Sequence, residues 1–303
     1  MSSQVNLVVA GPDDASKAFA RSLAQALGIE LCEASYKRFP DGEQYVRLPC
    51  QVKGRIAAVV KTFYPDQDSS LVTSVLLADA VLEAGGEPGL LVAPYLAYAR
   101  QDRAFLEGEP VSIRGVLKSL WSAGYRSLVT VEIHKVDSLR HFPGKALSVR
   151  PFEFMARSLG LGGSSDLVVI SPDLGGVERA RSLAQALGVG HDFLEKSRDR
   201  VTGEIALKPK SVDVGGKRVI IVDDVISTGG TVAEATKMLK GLGAREVKVM
   251  VAHALLVQGA AERLRSSGVD AVYAANTTPP TNMVAQVDVA PLVARAIREE
   301  VSP

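Results

Sequence analysis

Short apolar runs alternate with amphipathic stretches along nearly the whole chain. Eight runs rich in Val, Ile, Leu and Ala stand at 7–10, 56–61, 90–93, 128–133, 167–170, 219–222, 247–252 and 271–274. Their near-continuous apolar character predicts strands buried on both faces. Between them, apolar residues at helical spacing predict helices over 69–84, 113–123 and 232–242. Strand and helix in alternation predict an α/β fold, with mainly parallel sheets flanked by helices.

The pattern is also duplicated. The octapeptide RSLAQALG occurs at 21–28 and again at 181–188. Each copy has helical apolar spacing and ends in a Gly suited to the position just past a helix. Each follows a strand and an acidic or glycine-rich turn, VNLVVAGPDD before the first and LVVISPDLGG before the second. We read this as an internal duplication in which each half is one α/β domain. A length of 303 residues suits two domains of about 150 each. Pro143, Gly144 and Pro151 mark breaks near 147–151, which predicts domains over 1–148 and 149–303.

Composition excludes several classes. A hydrophobic content of 47% supports well-filled cores, and a net charge of +1 provides no bulk field for nucleic acid or membrane surfaces. No segment approaches the roughly 20 uninterrupted apolar residues of a membrane span. The first residues lack a basic region and read as a first strand rather than a secretory signal. Two cysteines, Cys32 and Cys50, cannot build a metal cluster alone, and are expected to be free thiols in a reducing cytoplasm.

The stretch 219–231, VIIVDDVISTGGT, carries the clearest chemistry. A buried strand is expected to end at Val222, followed by Asp223 and Asp224. The turn Ser227, Thr228, Gly229, Gly230 and Thr231 then opens a helix. Free N–H groups at a helix start hold phosphate, and glycines let it approach the backbone closely. Two carboxylates beside it can accept hydrogen bonds from vicinal sugar hydroxyls. A plain βα turn with a solvated acid pair is the alternative, but adjacent acids at a strand end have no packing purpose.

Other constellations fall at strand ends, where such folds bind ligands. The segment 38–43, RFPDGE, combines the Phe39 ring, a tight turn and the acids Asp41 and Glu43; alone it also reads as a surface hairpin. Arg100, Gln101, Asp102 and Arg103 form a group able to grip a polyphosphate and a base edge, or else a helix start with solvated charges. His134 follows the strand at 128–133, where a neutral imidazole can bind a metal or a phosphate oxygen, or serve structure alone. Ser171–Pro172–Asp173 repeats the strand–acid–glycine logic, and its carboxylate suits magnesium. Lys196 and Arg198, two apart, would point the same way in an extended segment and neutralise phosphoryl charge, or else cap a soluble hairpin.

The acid pair and Thr-Gly-Gly-Thr turn resemble the phosphoribosyl pyrophosphate motif of the type I phosphoribosyltransferase fold. The segments in this order resemble ribose-phosphate pyrophosphokinases over essentially the whole chain. That resemblance implies two tandem type I phosphoribosyltransferase-like domains and a magnesium-dependent diphosphoryl transfer from ATP to ribose 5-phosphate. It assigns Phe39, Asp41 and Glu43 to the ATP site of a neighbouring subunit, and Arg100, Gln101, Asp102 and Arg103 to ATP. It further assigns His134 and Asp173 to the magnesium and triphosphate region, Lys196, Arg198 and His134 to catalysis, and Asp223, Asp224 and 227–231 to ribose 5-phosphate. It implies a cytoplasmic homo-oligomer, a dimer or higher, whose last helix packs on the first domain. Glu132-Ile133-His134 in place of Asp-Leu-His, the run 135–139 and the second glycine of the phosphate turn lean toward an archaeal-type member. Two other readings stand beside this one: a phosphoribosyltransferase that consumes the product with a base, and a non-catalytic regulator that keeps the fold.

Overall fold

The computed structural model describes residues 5–162, 164–198, 205–209 and 213–301; the side chains of 196–198 and 205–209 lie outside that description. The chain divides into two compact units, Met1–Arg150 with Asn276–Pro279 and Asp288–Pro303, and Pro151–Ala275 with Pro280–Val287.

The first unit runs β1 (Leu7–Ala10), α1 (Asp14–Leu27), β2 (Glu30–Glu33), β3 (Ser35–Arg38), β4 (Gln44–Arg47), β5 (Ile56–Val60), α2 (Gln67–Glu83), β6 (Glu87–Ala93), α3 (Ser112–Ser122), β7 (Ser127–Val131) and β8 (Lys145–Val149). The second runs α4 (Phe152–Ser158), β9 (Leu167–Ser171), α5 (Val177–Leu187), β10 (Gly190–Arg198), β11 (Ile205–Pro209), β12 (Arg218–Ile226), α6 (Gly230–Gly241), β13 (Glu246–Ala254), α7 (Ala260–Ser267), β14 (Ala271–Ala275) and β15 (Val284–Val287). A last helix, α8 (Ala290–Ala296), belongs to the first unit.

In the first unit the sheet order is β2-β1-β5-β6-β7-β8, parallel throughout. In the second it is β11-β10-β9-β12-β13-β14-β15, parallel except for the β10–β11 hairpin. Strand for strand, the second order repeats the first and adds β11 at one edge. The repeated octapeptides fill the ends of α1 and α5. Gly28 and Gly188 close them in matching left-handed conformations, φ 71° and 67°. Ahead of each helix an aspartate accepts from the N–H three residues on: Asp13 Oδ1 from Ser16 at 2.8 Å, Asp173 Oδ1 from Gly176 at 3.2 Å.

Leu7, Val9, Val59, Leu91 and Leu128 are fully buried in the first core, and Ile170, Ile221, Val249 and Ala274 in the second. A sheet buried on both faces cannot spare polar positions, hence the unbroken apolar runs. Helix α8 packs on α1, where Arg298 Nη2 donates to the Ala26 carbonyl at 2.6 Å and Ser22 donates to Asp288.

All eight expected strands and all three expected helices are present. Two expectations need correction. Strand β12 does not end at Val222: it continues through both aspartates because Val225 and Ile226 still pair with His253 and Ala254 on β13. Nor are the cysteines free. Cys32 and Cys50 form a disulfide with a Cα separation of 5.9 Å, within the span that such a bridge allows.

The two glycine stops are equivalent, so they should respond alike. An added Cβ meets no atom within 4 Å at either position, which leaves only the left-handed backbone to oppose it. Gly28→Ala and Gly188→Ala should each destabilise by about 1–2 kcal/mol, read as matched drops in thermal midpoint. Unchanged midpoints would mean that neither helix end depends on its glycine.

Candidate active site

The acid pair sits near the C-terminal end of β12. Asp223 Oδ1 accepts from the Asp224 N–H at 2.9 Å, and Asp224 Oδ1 from the Val225 N–H at 2.9 Å. Asp224 is buried, at 6% exposure. Arg179, in the first turn of α5, reaches across from the neighbouring strand's connection. Its Nη1 lies 3.2 Å from Asp223 Oδ1 and its Nη2 lies 3.9 Å from Asp224 Oδ2. The guanidinium also faces the Phe152 ring at 5.9 Å.

Burial, followed by repulsion from Asp224, pushes the Asp223 carboxyl up to about 7 against the downward pull of Arg179. A carboxyl held so close to its protonation point is poised to gain from donors or a cation brought by a ligand.

Past the pair, Gly229 takes φ 73° as the cap of α6. A Cβ there would stand 3.4 Å from Leu264 and 3.5 Å from Ala260, so the turn lies close against α7. No side chain caps α6. Its first N–H groups have no intrahelical carbonyl to bond, which is the arrangement that holds anions. Thr228, Gly230 and Thr231 are exposed and Ser227 is half-buried. Arg263 on α7 donates to the Thr228 carbonyl and steadies the turn from behind.

Asp173 leaves β9, the immediate neighbour of β12, with Ile170 and Ile221 in register. It therefore opens at the same sheet edge as the pair. Its side chain is exposed, and Ser171 Oγ donates to its carbonyl at 2.7 Å. The backbone of Lys196 and Arg198 belongs to β10, paired with β11; their side chains lie outside the described set.

In the first unit, Phe39, Asp41 and Glu43 form the tip of the β3–β4 hairpin. The Phe39 N–H donates to the Glu43 carbonyl at 2.8 Å, and the Glu43 N–H to Asp41 Oδ1 at 3.1 Å. Lys37 sits 4.8 Å above the Phe39 ring, which remains 38% exposed. Arg100–Arg103 is a loop after β6 rather than a helix start. Gln101 Oε1 accepts from Ser112 Oγ at 2.6 Å and ties the loop to α3, while Arg100 and Arg103 face solvent. His134 is exposed three residues beyond β7, next to β6 in the sheet. His134 belongs to the first unit and Asp173 to the second.

Sequence reasoning missed Arg179 and Arg263. A signal existed for the first: it is the cation in the opening turn of the helix that follows Ser-Pro-Asp. The second shows only once α7 is seen against the turn.

Residues 9–124 match the N-terminal domain of ribose phosphate pyrophosphokinase, and residues 152–289 match the phosphoribosyl transferase domain. The ribose-phosphate pyrophosphokinase of Aeropyrum pernix is 41% identical over 98% of this chain and 97% of its own length. The chain belongs to the ribose-phosphate pyrophosphokinase family. Thermococcus kodakarensis has another relative of that name, 44% identical over 83% of this chain and 88% of its own. The crystal structure of phosphoribosylpyrophosphate synthetase from Mycobacterium smegmatis superposes with a TM-score of 0.86 at 29% identity, covering 97% of this chain and 98% of that one. Of the pyrophosphokinase segments, the hairpin and the Arg100 loop fall within the first matched domain. The acid pair, the turn, Asp173 and Arg179 fall within the second, and His134 lies between the two.

The raised Asp223 value has a testable sign. The folded protein keeps a proton that the unfolded chain releases between pH 4 and pH 7. Stability of the ligand-free protein should therefore fall as pH rises through that window, and Asp223→Asn should flatten the fall. A slope that rises with pH at this site would contradict it. Arg179→Gln should lower the thermal midpoint more at pH 8 than at pH 5, because Asp223 is then ionised beside Asp224.

Proposed function

We propose that the chain transfers the β,γ-diphosphoryl group of ATP to O1 of ribose 5-phosphate, giving 5-phosphoribosyl 1-pyrophosphate and AMP for nucleotide biosynthesis. Nearly full-length similarity to relatives named ribose-phosphate pyrophosphokinase carries this reading. A phosphoribosyltransferase would account for residues 152–289 but not for the matched domain at 9–124.

In this reaction the anomeric hydroxyl attacks the β-phosphorus in line, and the protein contributes mainly position and charge. Asp223 and Asp224 accept from the ribose hydroxyls, and the N–H groups and hydroxyls of 227–231 hold the 5-phosphate. Arg100, Gln101, Asp102 and Arg103 bind ATP, with Gln101 already fixed by Ser112. Lys196, Arg198 and His134 offset charge on the transferred group and on the leaving AMP. Phe39, Asp41 and Glu43 complete the ATP site of a neighbouring copy, which makes the active form a homo-oligomer.

Among the described residues no three His, Cys, Asp or Glu side chains converge into a metal cage. That fits magnesium, which takes one or two carboxylates and completes its shell with water and substrate phosphates. Asp173 supplies an exposed oxygen donor of the required kind. His134 stands with it in the proposed set, its imidazole better suited to phosphate oxygens than to magnesium. Bound magnesium would supply positive charge to offset that of the triphosphate. A cytoplasmic location belongs to the same proposal. Among the described residues no helix is long and apolar enough to cross a membrane, and a disulfide does not exclude an intracellular setting.

The deciding measurement is AMP release from ATP that depends on ribose 5-phosphate. Release without the sugar phosphate, or none with it, would overturn the reading. Lys196→Ala should lower kcat by about a hundredfold or more with a far smaller change in KM. Mixed with a Phe39→Ala/Glu43→Ala variant and allowed to exchange subunits, it should regain activity.

A further inference from the structure

The β3–β4 hairpin pairs only with itself and joins neither larger sheet. Each strand is four residues long. A free two-stranded ribbon of that size is marginally stable in water. Yet its tip presents Phe39, Asp41 and Glu43 in a closed turn, with Tyr36, Phe39 and Tyr45 exposed along it. Something other than sheet pairing must hold it in shape.

The noncovalent anchors lie on the β4 side, where Val46 and, just past the strand, Leu48 pack on the first core. Gln44 Nε2 donates to the Ser69 carbonyl at 3.2 Å, and Thr73 donates to Gln44 Oε1. Arg38 lies 3.7 Å from Asp66, with both side chains mostly exposed, and so contributes little. The covalent anchor is Cys32–Cys50. Cys32 belongs to β2, pairs in register with Val9 and is buried. Cys50 follows the far strand and packs on the same core. The ring that they close, 18 residues apart, contains the entire hairpin. Both feet of the hairpin are thereby fixed to the edge of the first sheet.

We propose that Cys32 and Cys50 are a positioning pair for ATP: their disulfide pre-forms the hairpin, so that nucleotide binding does not have to order it. The proposal rests on the assignment of the hairpin to ATP. Opening the ring restores conformational freedom that must be lost again when ATP binds, and affinity falls accordingly. The chemistry is reversible. A dithiol such as dithiothreitol attacks one sulfur as its thiolate and forms a mixed disulfide. Its second thiol then closes on the first. The reagent is oxidised to a cyclic disulfide and the protein gains two electrons and two protons as two thiols.

The test compares the oxidised protein, the dithiothreitol-reduced protein and a Cys32→Ala/Cys50→Ala variant. Thiols are titrated in denaturant, and kcat and both KM values are measured along with thermal midpoints. The oxidised protein should show no free thiol. Reduction and the double variant should each raise KM for ATP roughly fivefold or more, while kcat and KM for ribose 5-phosphate stay within about twofold. Reoxidation should restore the reduced protein, and dithiothreitol should leave the double variant unchanged. Two free thiols in the oxidised protein, an unchanged KM for ATP, or equal rises for both substrates would overturn the proposal. Phe39→Ala/Glu43→Ala in the same assay separates the causes of failure. If it raises KM for ATP and the cysteine changes do not, the clamp is wrong. If it leaves KM for ATP unchanged, the ATP assignment is wrong and the clamp falls with it.

Discussion

Parallel strands all point one way, and that single constraint organises the chemistry of this chain. Every strand in the six-stranded sheet ends at one edge, and each crossover helix carries the chain back to the other. The loops that can hold ligands are thus gathered without any long-range specification. Arg100 and His134 follow adjacent strands of the first sheet; in the second, Asp173 follows β9 and Asp223 lies in the last half of its neighbour β12. Local turn chemistry then decides what each edge can bind.

The duplicated halves use the same device differently. In the second, Asp173 remains exposed at the sheet edge, and Arg179 pairs with Asp223 and Asp224 on the neighbouring strand. In the first, its counterpart Asp13 is matched by Lys61, whose Nζ lies 2.8 Å from Asp13 Oδ2 and donates to Ser70 Oγ at 2.9 Å. Lys61 itself is buried, at 4% exposure. Asp13 is thus paired within its own unit, whereas Asp173 is exposed.

The central strands were legible because burial on both faces demands unbroken apolar runs, as in Val8–Val9 and Ile220–Ile221. Edge strands were not. ELCE in β2, VAQV in β15 and the polar ribbon β3–β4 carry alternating or mixed residues that solvent tolerates. The acid pair misled about the end of β12, since two aspartates normally stop a strand. Here Arg179 makes them tolerable within it, and that partner comes from a helix 44 positions earlier. The disulfide was unreadable for a related reason. Two cysteines 18 apart meet only if an intervening ribbon folds back, and its turn was visible while its docking was not.

The return of 288–303 to the first unit has a consequence for how this protein is made. On the ribosome, α1 emerges early with a face that α8 will cover, and α8 follows after the second unit. A chain that stopped before α8 would leave that face of α1 uncovered.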